Sequence, residues 1–284
     1  MKAILQDMKT WRFWRHFLMT LFACLGALST AMQTFNAANP DSHLLEGYNV
    51  LAAIIVLSAL AAIIWSWPRP IAEDYNAPKT RISIVPGNIL EETGHLVIGI
   101  NDTFDTETPN IIAISSLQGQ ALQVLYGGDL KQLDAHLDQA LASKPIIGTL
   151  VKAGKQAQYG VGSVATVKHA HRLIFFLAYC KMDALNVARS TPDKVWKSLL
   201  AFWAEVSTRA NGGTVSIPVI GGGQARLSNL LPAQDAIRFT LLSFMFASRG
   251  SKICDELRIV VRPDDYNRLD RLELQSFLSS LRSS

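Results

Sequence analysis

The sequence predicts a three-layer α/β sandwich with a mixed sheet, preceded by a two-helix membrane hairpin. Three observations predict it. Phe17–Pro68 contains no Lys or Arg and only two acids, Asp41 and Glu46, which divide it into two apolar runs. From Arg81 onward, short β-rich runs alternate with amphipathic helical ones, the pattern of a sheet covered by helices on both faces. Near the end, Thr214–Ile220, a glycine triplet, Pro232–Ser248 and Leu257–Val261 follow as strand, turn, helix and strand. That spacing is the one a parallel crossover needs.

The hairpin comes first in the chain. Phe17–Phe35 and Tyr48–Trp67 are each about 20 residues, enough to cross a hydrocarbon core of roughly 30 Å at about 1.5 Å per residue. Lys2, Lys9, Arg12 and Arg15 precede the first run, and Arg69, Lys79 and Arg81 follow the second. The connection Asn36–Gly47 has neither Lys nor Arg. Basic residues stay in the cytoplasm, so both termini belong there and the acidic connection outside. Trp11, Trp14, Trp65 and Trp67 stand where an indole prefers to be, at the interface. A cleaved leader or a pair of buried core helices would carry similar runs. The second run and the lack of an A-x-A cleavage site weigh against a leader. The small residues in both runs suit close helix packing, and are also common in any span. The expected organisation is residues 1–16 as a cytoplasmic segment, 17–67 as the hairpin, 68–80 as a linker stiffened by Pro68, Pro70 and Pro78, and 81–284 as one domain.

Within that domain, Arg81–Pro86 and His95–Ile100 read as strands, and Ser116–Tyr126 and Leu130–Leu141 as helices. Ser163–His169 and Leu173–Tyr179 read as a strand pair. Thr191-Pro192 is a helix start, with Thr at the cap and Pro where its missing N–H costs nothing. Val195, Leu199, Phe202 and Val206 recur on one face of that helix, and Asn211-Gly212-Gly213 ends it.

Composition excludes several chemistries. The net charge of +4 is modest and much of it flanks the apolar runs, so no nucleic-acid partner is indicated. Cys24, Cys180 and Cys254 are scattered, which suggests neither a disulfide framework nor a zinc site. His169 and His171 lie two apart with no carboxylate cluster nearby, so a turn or surface role is expected and no metal. Asp102, Asp105 and Glu107 form either an acidic group that meets ligand or a solvated loop. Asp264, Asp265 and Asp270 read as ordinary surface charge. No catalytic triad can be placed.

The chemistry that stands out is the triplet Gly221-Gly222-Gly223 after a buried strand. Successive glycine N–H groups can form a nest for phosphate oxygens, helped by the following helix N-terminus. Arg226 can add a bidentate contact. The alternative is a tight strand-to-helix turn with Arg226 in solvent.

Ser216-Ile217-Pro218-Val219-Ile220-Gly221-Gly222-Gly223 resembles the P-A-I-G-T-G strand and loop of macro domains, which bind ADP-ribose and its relatives. Ile84-Val85-Pro86-Gly87-Asn88-Ile89 resembles their opening strand and G-D-I turn, His95–Asp102 their A-I-V-N-A-A-N strand, and Gly162–Thr166 the segment before the next strand pair. The resemblance spans about residues 81–262. It implies that Asn88 meets adenine in place of the family's aspartate and that Asn101 or Asp102 meets the distal ribose. It also implies that Gly162 and Ser163 border the site, and that Gly221, Gly222, Gly223, Gln224 and Arg226 hold the diphosphate. The Gly-rich loop of the hydrolytic members is replaced by Thr103-Phe104-Asp105-Thr106 and Ser115-Ser116-Leu117-Gln118-Gly119. Binding without catalysis is therefore expected, with no catalytic residue and no cofactor beyond the bound nucleotide.

A hairpin fused to a divergent macro domain resembles, over the whole chain, the membrane-anchored macro effectors of bacterial Thoeris anti-phage systems. That resemblance implies a multi-pass protein of the bacterial inner membrane with both termini and the macro domain in the cytoplasm. It implies a TIR-domain partner that makes an ADP-ribose-type messenger, such as a histidine-ADP-ribose. It further implies homo-oligomers and membrane damage as the output. The rival readings are a membrane-bound ADP-ribosyl hydrolase and a ligand-free macro-like module that docks a protein.

Overall fold

A computed structural model describes Met8 and residues 11–40, 47–66, 70–221 and 230–282. In chain order its elements are α1 (Trp11–Ala38), α2 (Tyr48–Trp65), β1 (Ile71–Asn76), β2 (Lys79–Pro86), a 3₁₀ turn (Ile89–Glu91) and β3 (His95–Asn101). Then come α3 (Leu117–Tyr126), α4 (Leu130–Leu141), β4 (Gly148–Thr149), β5 (Ala157–Gln158), β6 (Val164–His169), β7 (Arg172–Met182) and β8 (Ala188–Arg189). The last are α5 (Pro192–Arg209), β9 (Gly212–Pro218), α6 (Ala233–Ser248), β10 (Cys254–Val261), α7 (Pro263–Tyr266) and α8 (Arg271–Leu281).

α1 and α2 pack on one another as a helical pair. Both are long and apolar enough to cross a membrane, over Phe13–Ala38 and Tyr48–Trp65.

The second unit holds the sheet. Its main sheet runs in the order β1-β2-β10-β9-β3-β7-β6, with β8 paired to β7, and β4 and β5 form a separate two-stranded ladder. β2, β10, β9, β3 and β7 are parallel, while β1, β6 and β8 are antiparallel to their neighbours. The sheet is therefore mixed, as expected. Alternation along each strand sorts its side chains into two cores. Val97, Phe175, Val215, Ile217, Leu257 and Ile259 face one way and pack under α5, α6 and α8 through Phe202, Trp203, Phe244 and Leu274. Leu96, Ile98, Ile100, Ile174 and Phe176 face the other way and pack under α3 and α4 through Leu122, Leu133 and Leu137. This is the three-layer sandwich. Inside the first core the Trp203 Nε1–H donates to Ser243 Oγ at 2.9 Å, which satisfies the one polar atom of a fully buried indole.

Local signals set most of the boundaries. Ser116 caps α3 by accepting the Gly119 N–H, and Asp129 caps α4 by accepting the Gln132 N–H. Thr191 has the extended cap backbone at the start of α5 but makes no side-chain capping bond. Asn211 and Gly212 have positive φ after α5, as the C-cap reading requires.

One expectation is corrected. Residues 68–80 are not simply a linker, because Ile71–Asn76 form the edge strand β1, in register with β2 from Ile71↔Ile84 to Asn76↔Lys79. Asp264, Asp265 and Asp270 are exposed or half-buried, as the surface-charge reading expects, and α8 follows them. There Leu274 and Leu278 are fully buried, Tyr75 donates its hydroxyl to Leu278 O at 2.7 Å, and Gln275 brackets the Ala72 backbone.

Candidate functional site

In an open parallel sheet, ligands bind outside the carboxyl ends of the strands, where neighbouring strands part. That place is visible in the registers. β3 pairs with β9 only at His95↔Val215 and Leu96↔Ser216. β3 stays with β7 as far as Asn101↔Cys180, and β9 stays with β10 as far as Val260↔Pro218. The carboxyl halves of β3 and β9 are thus unpaired with each other, and the parting of these two strand ends is the crevice of such a sheet.

Asn88 lies on the same end of the sheet, after β2. It is exposed and caps the 3₁₀ turn, its Oδ1 accepting the Leu90 N–H at 3.1 Å and its Nδ2 donating to Glu91 Oε1 at 3.2 Å. The neighbouring Gly87 N–H donates to Val261 O at 2.9 Å, which ties the β2 and β10 ends together.

The loop after β3 is buried from Asn101 to Thr106. Asn101 Oδ1 accepts from Thr103 N (3.0 Å) and Asp105 N (3.2 Å) and lies 2.8 Å from Thr103 Oγ1. One side chain thereby folds the loop around itself. Asp102 accepts the Met182 N–H at 2.8 Å and Gln158 Nε2 at 3.2 Å. Burial pushes its carboxyl up from the ordinary range, against the Met182 N–H, Lys181 and Gln158. Both side chains are thus engaged inward. Phe104, at φ 53, is a fully buried aromatic in the left-handed region, a conformation that costs about 1–2 kcal/mol for a non-glycine residue. Its ring packs edge-on to Tyr159 at 5.6 Å.

Asp105, for which the sequence offers a ligand-meeting acid or a solvated loop, is not solvated: its side chain is fully buried in an ion pair with an equally buried Lys152. It also accepts the Lys155 N–H at 2.7 Å, and its Oδ2 lies 2.7 Å from Thr103 Oγ1, whose one proton serves either this carboxylate or Asn101 Oδ1. Gly154, at φ +77, lies where a Cβ would strike this carboxylate, so glycine is what lets the segment wrap it. The pair locks the loop after β3 to the stretch between β4 and β5. No periodic pattern could reveal it, since the partners are 47 residues apart.

Gly162 and Ser163 precede β6. Gly162 has φ +99, and its N–H donates to Ala178 O at 2.8 Å. The Ser163 hydroxyl donates to Tyr159 O at 2.6 Å. Beyond β9, Gly221 is buried with φ +99, so the first glycine of the triplet has the backbone that a phosphate nest or a tight turn requires. Gly222, Gly223, Gln224 and Arg226 lie outside the described residues.

Burial pushes the Cys180 thiol, behind β3, up to about 12, and Asp102 adds to the effect. That cysteine is an inert core residue. His169 is half-buried beside the Tyr126 ring at 5.4 Å, and His171 is exposed in the turn to β7.

A second cleft, of about 380 Å³, lies toward the opposite end of the sheet. It is lined by His136, Lys144, Thr166, Lys168, Glu205 and Arg209 among others, and contains none of the crevice residues. Glu205 anchors it, accepting from Thr166 Oγ1 at 2.9 Å and pairing with Lys144 and Arg209 at 3.3 and 2.6 Å. It braces β6 against α5, whereas the crevice, by its position, is the candidate ligand site.

The family model for the macro domain of the Thoeris protein ThsA matches residues 82–262, well over half of the chain. The chain belongs to the ThsA macro-domain family. Solved structures agree on the fold. A point variant of the Oceanobacillus iheyensis macrodomain is 16% identical, with a TM-score of 0.50 over 74% of this chain and 98% of that one. The same bacterium's macrodomain with ADP is 14% identical, with a TM-score of 0.50 over 75% and 99%. No curated protein matches the chain in sequence. The ThsA macro match runs from β2 to just past β10, so the ThsA macro domain here contains both loops of the crevice, while α1 and α2 precede it.

Proposed function

We propose that this ThsA macro-domain protein is a membrane-anchored receptor for an ADP-ribose-type nucleotide, made by a TIR-domain partner, and that binding triggers membrane damage as an anti-phage response. The observation that carries this reading is the crevice between the carboxyl ends of β3 and β9 in a ThsA macro domain that follows two apolar helices. The diphosphate sits against Gly221 and the following Gly222, Gly223, Gln224 and Arg226. Adenine lies toward Asn88, whose amide can both donate and accept. The distal ribose lies toward the loop that Asn101 and Asp102 hold in shape, with Gly162 and Ser163 at its border. Binding is favoured over hydrolysis because the loop after β3 spends its polar side chains on its own structure, leaving none aimed at a ribose bond. The anchor is a multi-pass hairpin in the bacterial inner membrane, with both termini and the macro domain cytoplasmic. The bound state acts through homo-oligomers.

Calorimetry on the detergent-solubilised chain with ADP-ribose and its amino-acid conjugates tests the reading. Saturable binding is expected for at least one of them. Gly221→Val, which forces a β-branched residue into positive φ beside the phosphates, is expected to weaken it by about tenfold or more. Unchanged affinity would remove this loop from the site. Absence of binding to any of these nucleotides would sink the reading, and release of free ADP-ribose from a conjugate would replace it with the hydrolase.

A further inference from the structure

The main sheet has two edges, and the fold treats them differently. At β1 the Gln275 side chain takes up both backbone groups of Ala72. Its Oε1 accepts the N–H at 3.1 Å and its Nε2 donates to the C=O at 3.2 Å. At the other end of the strand order stands β6, which pairs with β7 alone. The Ala178 N–H donates to Ser163 O at 2.9 Å, and bonded pairs recur at every second residue of an antiparallel ladder. In the register that runs from Val164↔Leu177 to His169↔Arg172, the backbone groups of Ala165, Val167 and His169 therefore turn to β7. Those of Val164, Thr166 and Lys168 turn outward, and among the described residues none of them has a hydrogen-bond partner.

The cleft of about 380 Å³ lies along this free edge. Thr166, Val167 and Lys168 of the edge line it, together with Lys144 after α4 and Glu205 and Arg209 of α5. α4 covers one face of the sheet and α5 the other, so the Lys144–Glu205 pair, at 3.3 Å, reaches around the edge between them. Both partners keep some solvent contact, 28% and 17%, and a bridge of this kind contributes about 0–1 kcal/mol. An incoming carboxylate therefore takes Lys144 at little cost, while Thr166 Oγ1 and Arg209 stay on Glu205. Lys144, Lys168 and Arg209 outnumber Glu205 in the cleft, so it favours an acidic occupant. A second copy of β6 on the same edge would bring like charges together, and a lysine on an edge strand deters such self-pairing.

We propose that β6 accepts an extended acidic segment of a partner protein as a further strand. The backbone of that segment pairs with Val164, Thr166 and Lys168, and its carboxylates meet Lys144, Lys168 and Arg209. The probe is a fluorescent hexapeptide of alternating Val and Glu, titrated by anisotropy into the detergent-solubilised full chain. A Val-Lys hexapeptide is titrated beside it. Saturable binding of the Val-Glu peptide is expected, at least tenfold tighter than that of the Val-Lys peptide. Absence of binding, or equal binding of the two, would overturn the proposal. Lys168→Glu, at an exposed position, is expected to weaken the Val-Glu peptide by tenfold or more, and unchanged affinity would remove this edge from the contact. Strand addition is read separately from charge. A Val-Glu peptide N-methylated along its backbone keeps its carboxylates but has no N–H to donate, and is expected to lose tenfold or more. The unmethylated peptide is expected to slow hydrogen exchange in the segment Val164–His169. A methylated peptide that binds as well, or exchange that stays the same, would reduce the contact to charge attraction and refute the added strand. A fall in particle mass on Lys168→Glu, with no peptide bound, would give the edge to a second copy.

Discussion

Lys152 and Asp105 carry the most consequential pair of charges in the macro domain. Both side chains are fully buried, so neither charge has water to fall back on. A buried pair is weak evidence of net stability, because desolvation of both ions offsets their attraction. Removing one partner is a different matter, since it strands the other charge. Lys152→Ala is therefore expected to cost about 3–5 kcal/mol. Lys152→Met combined with Asp105→Asn is expected to cost much less, because the stranded charge is gone. Denaturant unfolding of the solubilised chain measures both. A single-variant loss below about 1 kcal/mol would mean that the pair behaves like a surface bridge. Function should follow the same order. The pair fixes the loop that begins at Asn101, so Lys152→Ala should loosen that loop, and with it the side of the site proposed for the distal ribose, while leaving Gly221 untouched.

At the scale of elements, the join between β6 and α5 is held by Glu205. Burial raises its carboxyl, but the Thr166 hydroxyl, Lys144 and Arg209 outweigh burial and hold it below the ordinary range. A depressed carboxyl contributes stability that is present above its unfolded value and lost as pH falls through the folded one. Glu205→Gln is thus expected to destabilise the chain by about 1–2 kcal/mol near neutrality, and the gap to wild type should close as the pH drops below about 4. Urea midpoints at several pH values test this, and a gap that widens in acid would contradict the assignment. Such joins also explain what could be read from sequence. β2, β3, β6, β7, α3–α6, β9 and β10 announced themselves through period and caps, because each buries one face over a full run. β1 did not, because Ile71-Ala72-Glu73-Asp74-Tyr75-Asn76 sits among prolines and gains its partners from β2 and α8, far along the chain. The motif order was legible as a macro domain, in agreement with the family match over residues 82–262. The inward turn of Asn101, Asp102 and Asp105 was not, since hydrogen bonds to Met182, Gln158 and Lys152 are set by the tertiary fold and leave no local pattern.

At the scale of the whole molecule, charge decides orientation. The chain flanks its two apolar helices with basic residues and leaves the connection between them with Asp41 and Glu46 alone. Lys and Arg within about 15–20 residues of a span resist translocation, so the hairpin should enter with both ends held back. The proposed function requires the same orientation, since a nucleotide made inside the cell would otherwise have to cross the bilayer to reach the macro domain. The strand β1 starts at Ile71 and α2 ends at Trp65, so only the segment 66–70 joins α2 to the sheet, far less chain than a linker of residues 68–80 would supply. Single cysteines introduced as Ser42→Cys and Ser283→Cys, each with Cys24→Ala, report the topology through a membrane-impermeant maleimide applied to spheroplasts. Labelling at Ser42→Cys in intact spheroplasts, and at Ser283→Cys only after permeabilisation, is expected. Labelling of both without permeabilisation would place the macro domain outside and deny it a cytoplasmic signal. Protection of both would mean that the connection never crosses, and that α1 and α2 lie on one side of the membrane.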